Sequence, residues 1–300
     1  MERYSVHLKL LGMAVLWGAS WPMGRMLGQS LPPLTGGAVR FVLASVLLLG
    51  WLFARSRFAT LAALSARQWL GLTVAASVGV CGYAVFFMLG LQAMPAGKAA
   101  VVVAVNPVLT LLLATWFFGE RLNAKILAGM LLAVGGAIMV VTQGQPLTVL
   151  SGGINAGEWL IFGCVVCWAA YTLIGRAVLR GIDALTVTAA TSFIGALMLS
   201  AVALWTDGMP FEAIAAMDGR GWTALAWLVI GATVLAYAWY FEGVKTLGAG
   251  SAAAYITLVP IFGVLSSAWF LGEPLHISLV AGCAAAVGGM TLMRYGQKAV

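Results

Sequence analysis

Charge is what this sequence has least of. Only 8% of its 300 residues are Asp, Glu, Lys or Arg, while 62% are hydrophobic. A water-soluble domain carries roughly 25% charged residues, because its surface must stay hydrated. So little charge excludes a water-facing exterior, and the apolar surface must meet lipid instead. Histidine is scarce as well: His7 and His276 both lie outside the interiors of the apolar runs. No HExxH string occurs and no acid falls in mid-run, which removes the metal sets and acid–base pairs that an enzyme embedded in the bilayer would need. The GxxxxGK[ST] phosphate loop is missing too, so ATP does not drive the protein directly. The cysteines Cys81, Cys164, Cys167 and Cys283 all sit within apolar runs. Cys164 and Cys167 form a CxxC string with no second pair and only apolar neighbours, and so read as packing residues. The sequence asks for no metal and no cofactor.

What is present in abundance is long apolar runs. A helix rises ~1.5 Å per residue, so about 20 apolar residues cross ~30 Å of hydrocarbon. Ten windows meet that length: Leu8–Leu27, Gly36–Ala54, Trp69–Leu91, Gly97–Phe118, Ile126–Thr142, Glu158–Val178, Leu185–Trp205, Trp222–Gly243, Ser251–Leu271 and Ile277–Arg294. The ~10-residue alternating strands of a barrel are missing. The first run follows Arg3 and Lys9 as a secretion signal would. It has no small-residue cleavage site behind it and is long enough to span, so it reads as the first helix.

The formal charge of +7 follows membrane topology rather than nucleic acid. With a cytoplasmic N-terminus, 12 of the 16 Lys and Arg fall on the cytoplasmic side and 4 (Arg25, Arg40, Lys98, Arg220) on the outer side. The positive-inside rule therefore places both termini in the cytoplasm.

The two halves resemble each other. Ala96 onward aligns with Ala249 onward without a gap. Gly97 falls on Gly250, Pro107 on Pro260, Trp116–Phe117 on Trp269–Phe270, and Gly119–Glu120 on Gly272–Glu273. Gly129 and Gly135–Gly136 fall on Gly282 and Gly288–Gly289, and Trp17 and Gly24–Arg25 match Trp168 and Gly175–Arg176. Each repeat, 1–143 and 144–300, holds five spans. An odd number forces the second copy to enter the membrane from the other side, the inverted architecture of secondary transporters. The expected fold is an all-α polytopic membrane protein of ten helices.

The Trp17–Pro22 run (WGASWP) and the Pro…Trp-Phe-x-Gly-Glu run, ending at Glu120 and again at Glu273, resemble the drug/metabolite transporter superfamily. Within it the chain is similar to EamA-domain exporters of the YddG amino-acid-exporter type, over essentially its whole length. The resemblance implies a multi-pass protein of the bacterial inner membrane that exports small metabolites, amino acids first. It also implies that the fourth and ninth helices line a central cavity while the fifth and tenth stay peripheral. The implied partners are the solute and membrane lipid. The oligomeric state is not set by the sequence, and a monomer would suffice.

The residues supply candidates for the site. Trp17, Ser20, Trp21 and Gly24 share one face of the first helix at i, i+3, i+4, i+7. Trp168, Tyr171, Thr172 and Gly175 form the matched face of the sixth. Such stripes line a pocket for a partly apolar solute, with ring faces for an ammonium group; helix packing or an interfacial belt is the competing account. On the fourth helix Lys98, Val102 and Asn106 form a stripe matched by Ser251, Tyr255 and Val259 on the ninth, so the polar chemistry does not repeat. An amide in mid-membrane must find a partner, in the solute or in a neighbouring helix. Lys98 attracts a carboxylate or snorkels to headgroups. Pro107 and Pro260 free the carbonyls of Val103 and Ile256, as gating kinks or as plain kinks. Tyr83 and Tyr237 are the expected cavity aromatics of the third and eighth helices. Glu120 and Glu273 are expected to satisfy backbone donors at the start of the following helix. The nine acids fall at span ends or in loops, which favours downhill movement over proton coupling. The alternatives are a passive channel or facilitator for a drug, nucleoside or sugar and, more remotely, an embedded enzyme. Saturable flux and counterflow separate a carrier from a channel.

Overall fold

The computed structural model describes residues 2–55, 58–119, 122–145, 154–178, 181–247, 252 and 255–297. Among them there is helix and no strand. That is how an apolar chain satisfies its backbone groups where no water reaches them. The main helices are α1 (Glu2–Gly18, then Ser20–Ser30), α2 (Pro33–Ala54), α3 (Ala66–Ala93), α4 (Ala96–Phe118) and α5 (Ala124–Val141). The second half holds α6 (Ala156–Val178), α7 (Ala184–Asp207), α8 (Gly219–Ala226 through Trp227–Leu235 to Ala236–Leu247), α9 (Tyr255–Leu271) and α10 (Ile277–Gln297). Among the described residues eight stretches are long and apolar enough to cross a membrane, and Tyr255–Leu271 is a shorter apolar helix. The protein is an all-α polytopic membrane protein.

Two departures from regular helix have readable causes. α1 is interrupted at Ala19, which keeps helical dihedrals. Pro22 has no N–H to give the Gly18 carbonyl, and the ladder breaks there. α3 and α8 each pass through a π-helical stretch, Ser77–Gly82 and Trp227–Leu235. The extra residue per turn re-aims the side chains that follow it, and such stretches recur at functional sites. Tyr83 stands directly after the first and Tyr237 just after the second.

Polar contacts define two ends of the bundle. At one end Arg25 meets Glu273, Thr35 meets Asp207 and Lys98 meets Glu158. At the other His7 meets Tyr255, Lys9 meets Glu242, and Asn123 donates to the Gly296 carbonyl. These are called the Glu273 end and the His7 end. Trp116 at the end of α4 and Trp269 at the end of α9 are both 85% exposed. The two repeat-equivalent indoles thus stand at opposite ends, where an interfacial belt belongs.

The tightest contact joins α5 to α10, which run antiparallel. A Cβ on Gly129 would lie 2.6 Å from the Gly289 carbonyl oxygen, and one on Gly136 2.5 Å from that of Gly282. Gly129 and Gly282 are equivalent in the repeat, as are Gly136 and Gly289. The contact therefore exchanges equivalent positions, which is what a two-fold axis through it produces. The neighbours Gly135 and Gly288 take no part: a Cβ on Gly135 meets nothing within 4 Å, and one on Gly288 meets only the Leu132 side chain at 3.7 Å. One glycine of each pair carries the close approach.

Gly136→Leu is expected to force the two backbones apart, at a cost of about 1–3 kcal/mol or more, while Gly135→Leu leaves the contact intact. Thermal unfolding of the two variants in detergent checks this: Gly136→Leu should melt below the wild type and Gly135→Leu beside it.

Candidate functional site

The aromatic candidates converge. From α1, the Trp21 ring lies 5.1 Å from that of Phe87 on α3; Phe87 stacks on Tyr83 at 6.1 Å, and Tyr83 meets Trp168 of α6 edge-on at 6.0 Å. Tyr171 follows at 6.0 Å from Trp168. A second arm runs from Trp17 to Tyr237 and Tyr240 of α8, at 5.3 and 5.6 Å. Tyr237 lies within electrostatic reach of Tyr171, so the two arms meet. Trp17, Tyr83, Tyr171 and Tyr237 are half-buried although they sit among the helices. Edge-on and offset rings at these separations are the favourable arrangements, and together they form an aromatic cage that keeps partly accessible surface among the helices.

Local structure holds the rings in place. Trp17 Nε1 donates to the Ala232 carbonyl at 2.9 Å, inside the π-helical stretch of α8. Trp227 Nε1 donates back to the Leu16 carbonyl at 3.2 Å, locking α1 to α8. Tyr171 fills a notch at Gly79, where a Cβ would come within 2.2 Å of its ring. Ser20 Oγ donates to the Leu16 carbonyl of its own helix.

Arg40 stands at this cage, and sequence reasoning counted it only as an outer-side charge. Its guanidinium lies over the rings of Phe41 and Phe87, at 5.0 and 5.9 Å, within electrostatic reach of Tyr83 and Tyr237. Its Nε is buried without a hydrogen-bond partner. The signal in the sequence is its place as the fifth residue of the apolar run Gly36–Ala54, inside the run and not in a loop. Phe87 and Tyr240 were passed over for their neighbours. Phe86 packs on Gly163, and Trp239 fills a notch at Gly12.

Other candidates stand elsewhere. Lys98 Nζ donates to Glu158 Oε1 at 2.5 Å, with both side chains largely buried. Glu158 also accepts from the Asn155 N–H. The carboxylate that Lys98 attracts is thus one of the protein's own. Tyr255 shares a 2.7 Å hydrogen bond with His7 Nδ1 at the His7 end. Asn106 opens the second half of α4, and its Oδ1 is buried with no partner. Pro107 is exposed and Pro260 buried. Each follows a tight turn: Val105 N–H donates to Val102 O at 3.2 Å, and residues Tyr255–Leu258 form a 3-10 helix.

Glu273 accepts from the Ala96 and Gly97 N–H groups at 2.7 and 2.9 Å and lies 3.3 Å from Arg25 Nη1. The same Nη1 donates to the Met94 carbonyl at 2.8 Å. The donors belong to α4 in the other half, not to the helix that follows Glu273. A carboxylate there answers both orphan N–H groups and the positive helix end. The matched Glu120 lies outside the described residues.

The two ends of the bundle differ. At the Glu273 end α4 packs on α9, with Gly97 against Ser267 and Gly263 against Ala100, and α1 crosses α9 at Gly18. Towards the His7 end α1 packs on α8 and α9, whereas α6 packs on α3 and α4. α6 exposes Trp159, Phe162 and Val166 on one face. Trp168 and Thr172, roughly half a turn round the helix, are exposed as well. A helix exposed on opposite faces meets lipid on one and an internal opening on the other. Ile161 and Cys164, on the inward face but nearer the Glu273 end, are buried. Close helix crossings thus join α4, α9 and α1 at the Glu273 end, while Trp168 and Thr172 leave the cage side of α6 partly uncovered toward the His7 end.

Comparison with known proteins agrees with this architecture. A solved crystal structure superposes with a TM-score of 0.67 at 21% identity, covering 96% of this chain and 97% of its own. The transporter YyaM of Bacillus subtilis is 28% identical over 97% of this chain and 93% of its own length. A probable amino-acid metabolite efflux pump of Salmonella typhimurium is 25% identical over 99% and 96%. The sequence profile of the EamA-like transporter family matches residues 5–142 and again 155–295. A multi-pass protein of the bacterial inner membrane, this chain belongs to the EamA-like transporter family.

Proposed function

We propose that this transporter exports amino acids from the cytoplasm by alternating access, with the aromatic cage as the solute site. The observation that carries the reading is the convergence of Trp17, Tyr83, Trp168, Tyr171 and Tyr237 from four helices on one half-buried space. Such a lining suits a small solute with an apolar side chain. The Salmonella relative named as an amino-acid metabolite efflux pump supports the solute class. Two inverted five-helix repeats, 1–143 and 144–300, with both termini cytoplasmic, supply the matching half-gates. The His7 end is then cytoplasmic, and the arrangement described is inward-open. Asn106, with a buried unpaired carbonyl oxygen, is a second polar contact along the path. With the acids at span ends or in loops, movement runs down the solute gradient.

The test is uptake of radiolabelled amino acids, sugars and nucleosides into proteoliposomes. Saturable amino-acid flux is expected, with Tyr83→Ala and Asn106→Leu each lowering it at least about tenfold, the worth of one lost charge-free contact plus its desolvated partner. Flux of sugars or nucleosides alone would reject the amino-acid reading.

Gating yields a second expectation. Glu273 joins the α9–α10 hairpin to the start of α4 and to Arg25, so it holds the outer mouth shut. Glu273→Ala removes two charge-assisted hydrogen bonds, each worth about 1.5–3 kcal/mol. A ~1.4 kcal/mol bias already shifts the inward:outward ratio about tenfold. A single cysteine replacing Gly97 or Ser267, in a cysteine-free background, should become reactive to an impermeant maleimide from outside in the Glu273→Ala variant. Unchanged labelling would make Glu273 a cap and not a latch.

A further inference from the structure

Arg40 is a permanent charge deep in the protein, and nothing in the family assignment explains it. It lies seven residues into α2, about 10 Å from the helix start. Snorkelling to headgroups would turn its side chain outward. Instead the guanidinium lies against Phe87 of α3 and within reach of Tyr83 and Tyr237. Guanidinium does not shed its proton in proteins, so its charge needs an answering group. Ring faces supply part of it, but Nε is buried with no acceptor.

No described acid answers it. Glu158 is held by Lys98, Glu242 by Lys9, and Glu273 by Arg25 and the start of α4. Asp183, Asp207 and Asp218 accept from the first backbone N–H groups of α7, α2 and α8, and Glu212 is exposed on the short helix Phe211–Ala215. The cage thus contains a cation, aromatic walls and tyrosine hydroxyls, and among the described residues no carboxylate to receive an ammonium group.

We propose that Arg40 anchors the carboxylate of the transported solute, and that the cage selects a monocarboxylate with an apolar or aromatic body irrespective of its amino group. The planar fork of guanidinium matches two carboxylate oxygens, and Phe87 beside it covers the carbon next to them. Lys98, the other basic candidate, is already neutralised by Glu158, so a dianion would exceed the charge available. The proposal rests on the cage being the solute site and narrows what that site reads: the carboxylate is required, the amine is not.

Two matched pairs test this directly on the purified protein, with tryptophan fluorescence as the readout: phenylalanine against its isosteric amide, and 3-phenylpropionate against phenethylamine, which keeps the ring and an amine but has no carboxylate. Both acids should bind wild type, with the amide and the amine at least about tenfold weaker. Arg40→Met should bring acid and amide to within about twofold, and Arg40→Lys should keep part of the difference, which separates loss of charge from loss of fold. Equal binding of acid and amide by wild type, failure of both acids to bind, or tenfold discrimination in Arg40→Met would overturn the proposal. The broader reading fails separately. If 3-phenylpropionate binds through Arg40 while no amino acid is transported, the amino-acid function falls and the carboxylate site stands. If phenylalanine and its amide are transported alike, the reverse holds.

Discussion

Lipid offers no hydrogen bonds, and that constraint organises everything else in this protein. Each helix end and each polar side chain must find its partner within the chain, at a cost of several kcal/mol when it does not. The chain meets the demand with short local devices. Asp207 accepts from the first turn of α2, Asp218 from that of α8, Glu273 from that of α4, and Ser and Thr hydroxyls return to carbonyls one turn back. Against so thorough a background, the buried polar atoms left without a partner become informative. Among the described residues these are Arg40 Nε, Asn106 Oδ1 and Ser267 Oγ. Ser267 lies in the crossing of α4 and α9 beside Gly97. Arg40 stands at the cage, where a solute can satisfy it.

Symmetry of the scaffold and asymmetry of the state coexist. The α5–α10 contact exchanges equivalent glycines, Gly129 meeting Gly289 and Gly136 meeting Gly282. The α4–α9 crossing does not share that balance: it is packed at the Glu273 end and diverges at the other, where α4 turns to α6. Both helices of that crossing are interrupted by tight turns just before Pro107 and Pro260. The same set of helices therefore packs symmetrically in one pair and unequally in the other.

Much of this was legible in the sequence because membrane helices obey few rules. Apolar length gave the helices, and the gapless alignment placed Gly129 on Gly282 and Gly135–Gly136 on Gly288–Gly289 without saying which of them touch. Spacing on α1 and α6 brought forward Trp17, Trp168 and Tyr171; Trp168 and Tyr171 are ring neighbours, and Trp17 reaches them only by way of Tyr237. Other features depended on contacts between helices far apart in sequence. Nothing local distinguishes Gly136 from Gly135, because which glycine faces a partner depends on the rotation of α5. Lys98 was readable as a basic group but not as the partner of Glu158, 60 residues away. The π-helical stretches before Tyr83 and Tyr237 leave no signature in apolar composition. Arg40 was hidden by a rule that counts basic residues by side and ignores their depth.

Under the alternating access proposed above, a solute bound at the cage is exposed to one side of the membrane at a time. Counterflow tests that most directly. Proteoliposomes loaded with a high concentration of unlabelled substrate and diluted into a trace of the labelled compound should accumulate label transiently above its external concentration, because the carrier returns loaded with whichever molecule it meets. Label that only equilibrates, with no overshoot at any loading, would show an open channel and contradict the account.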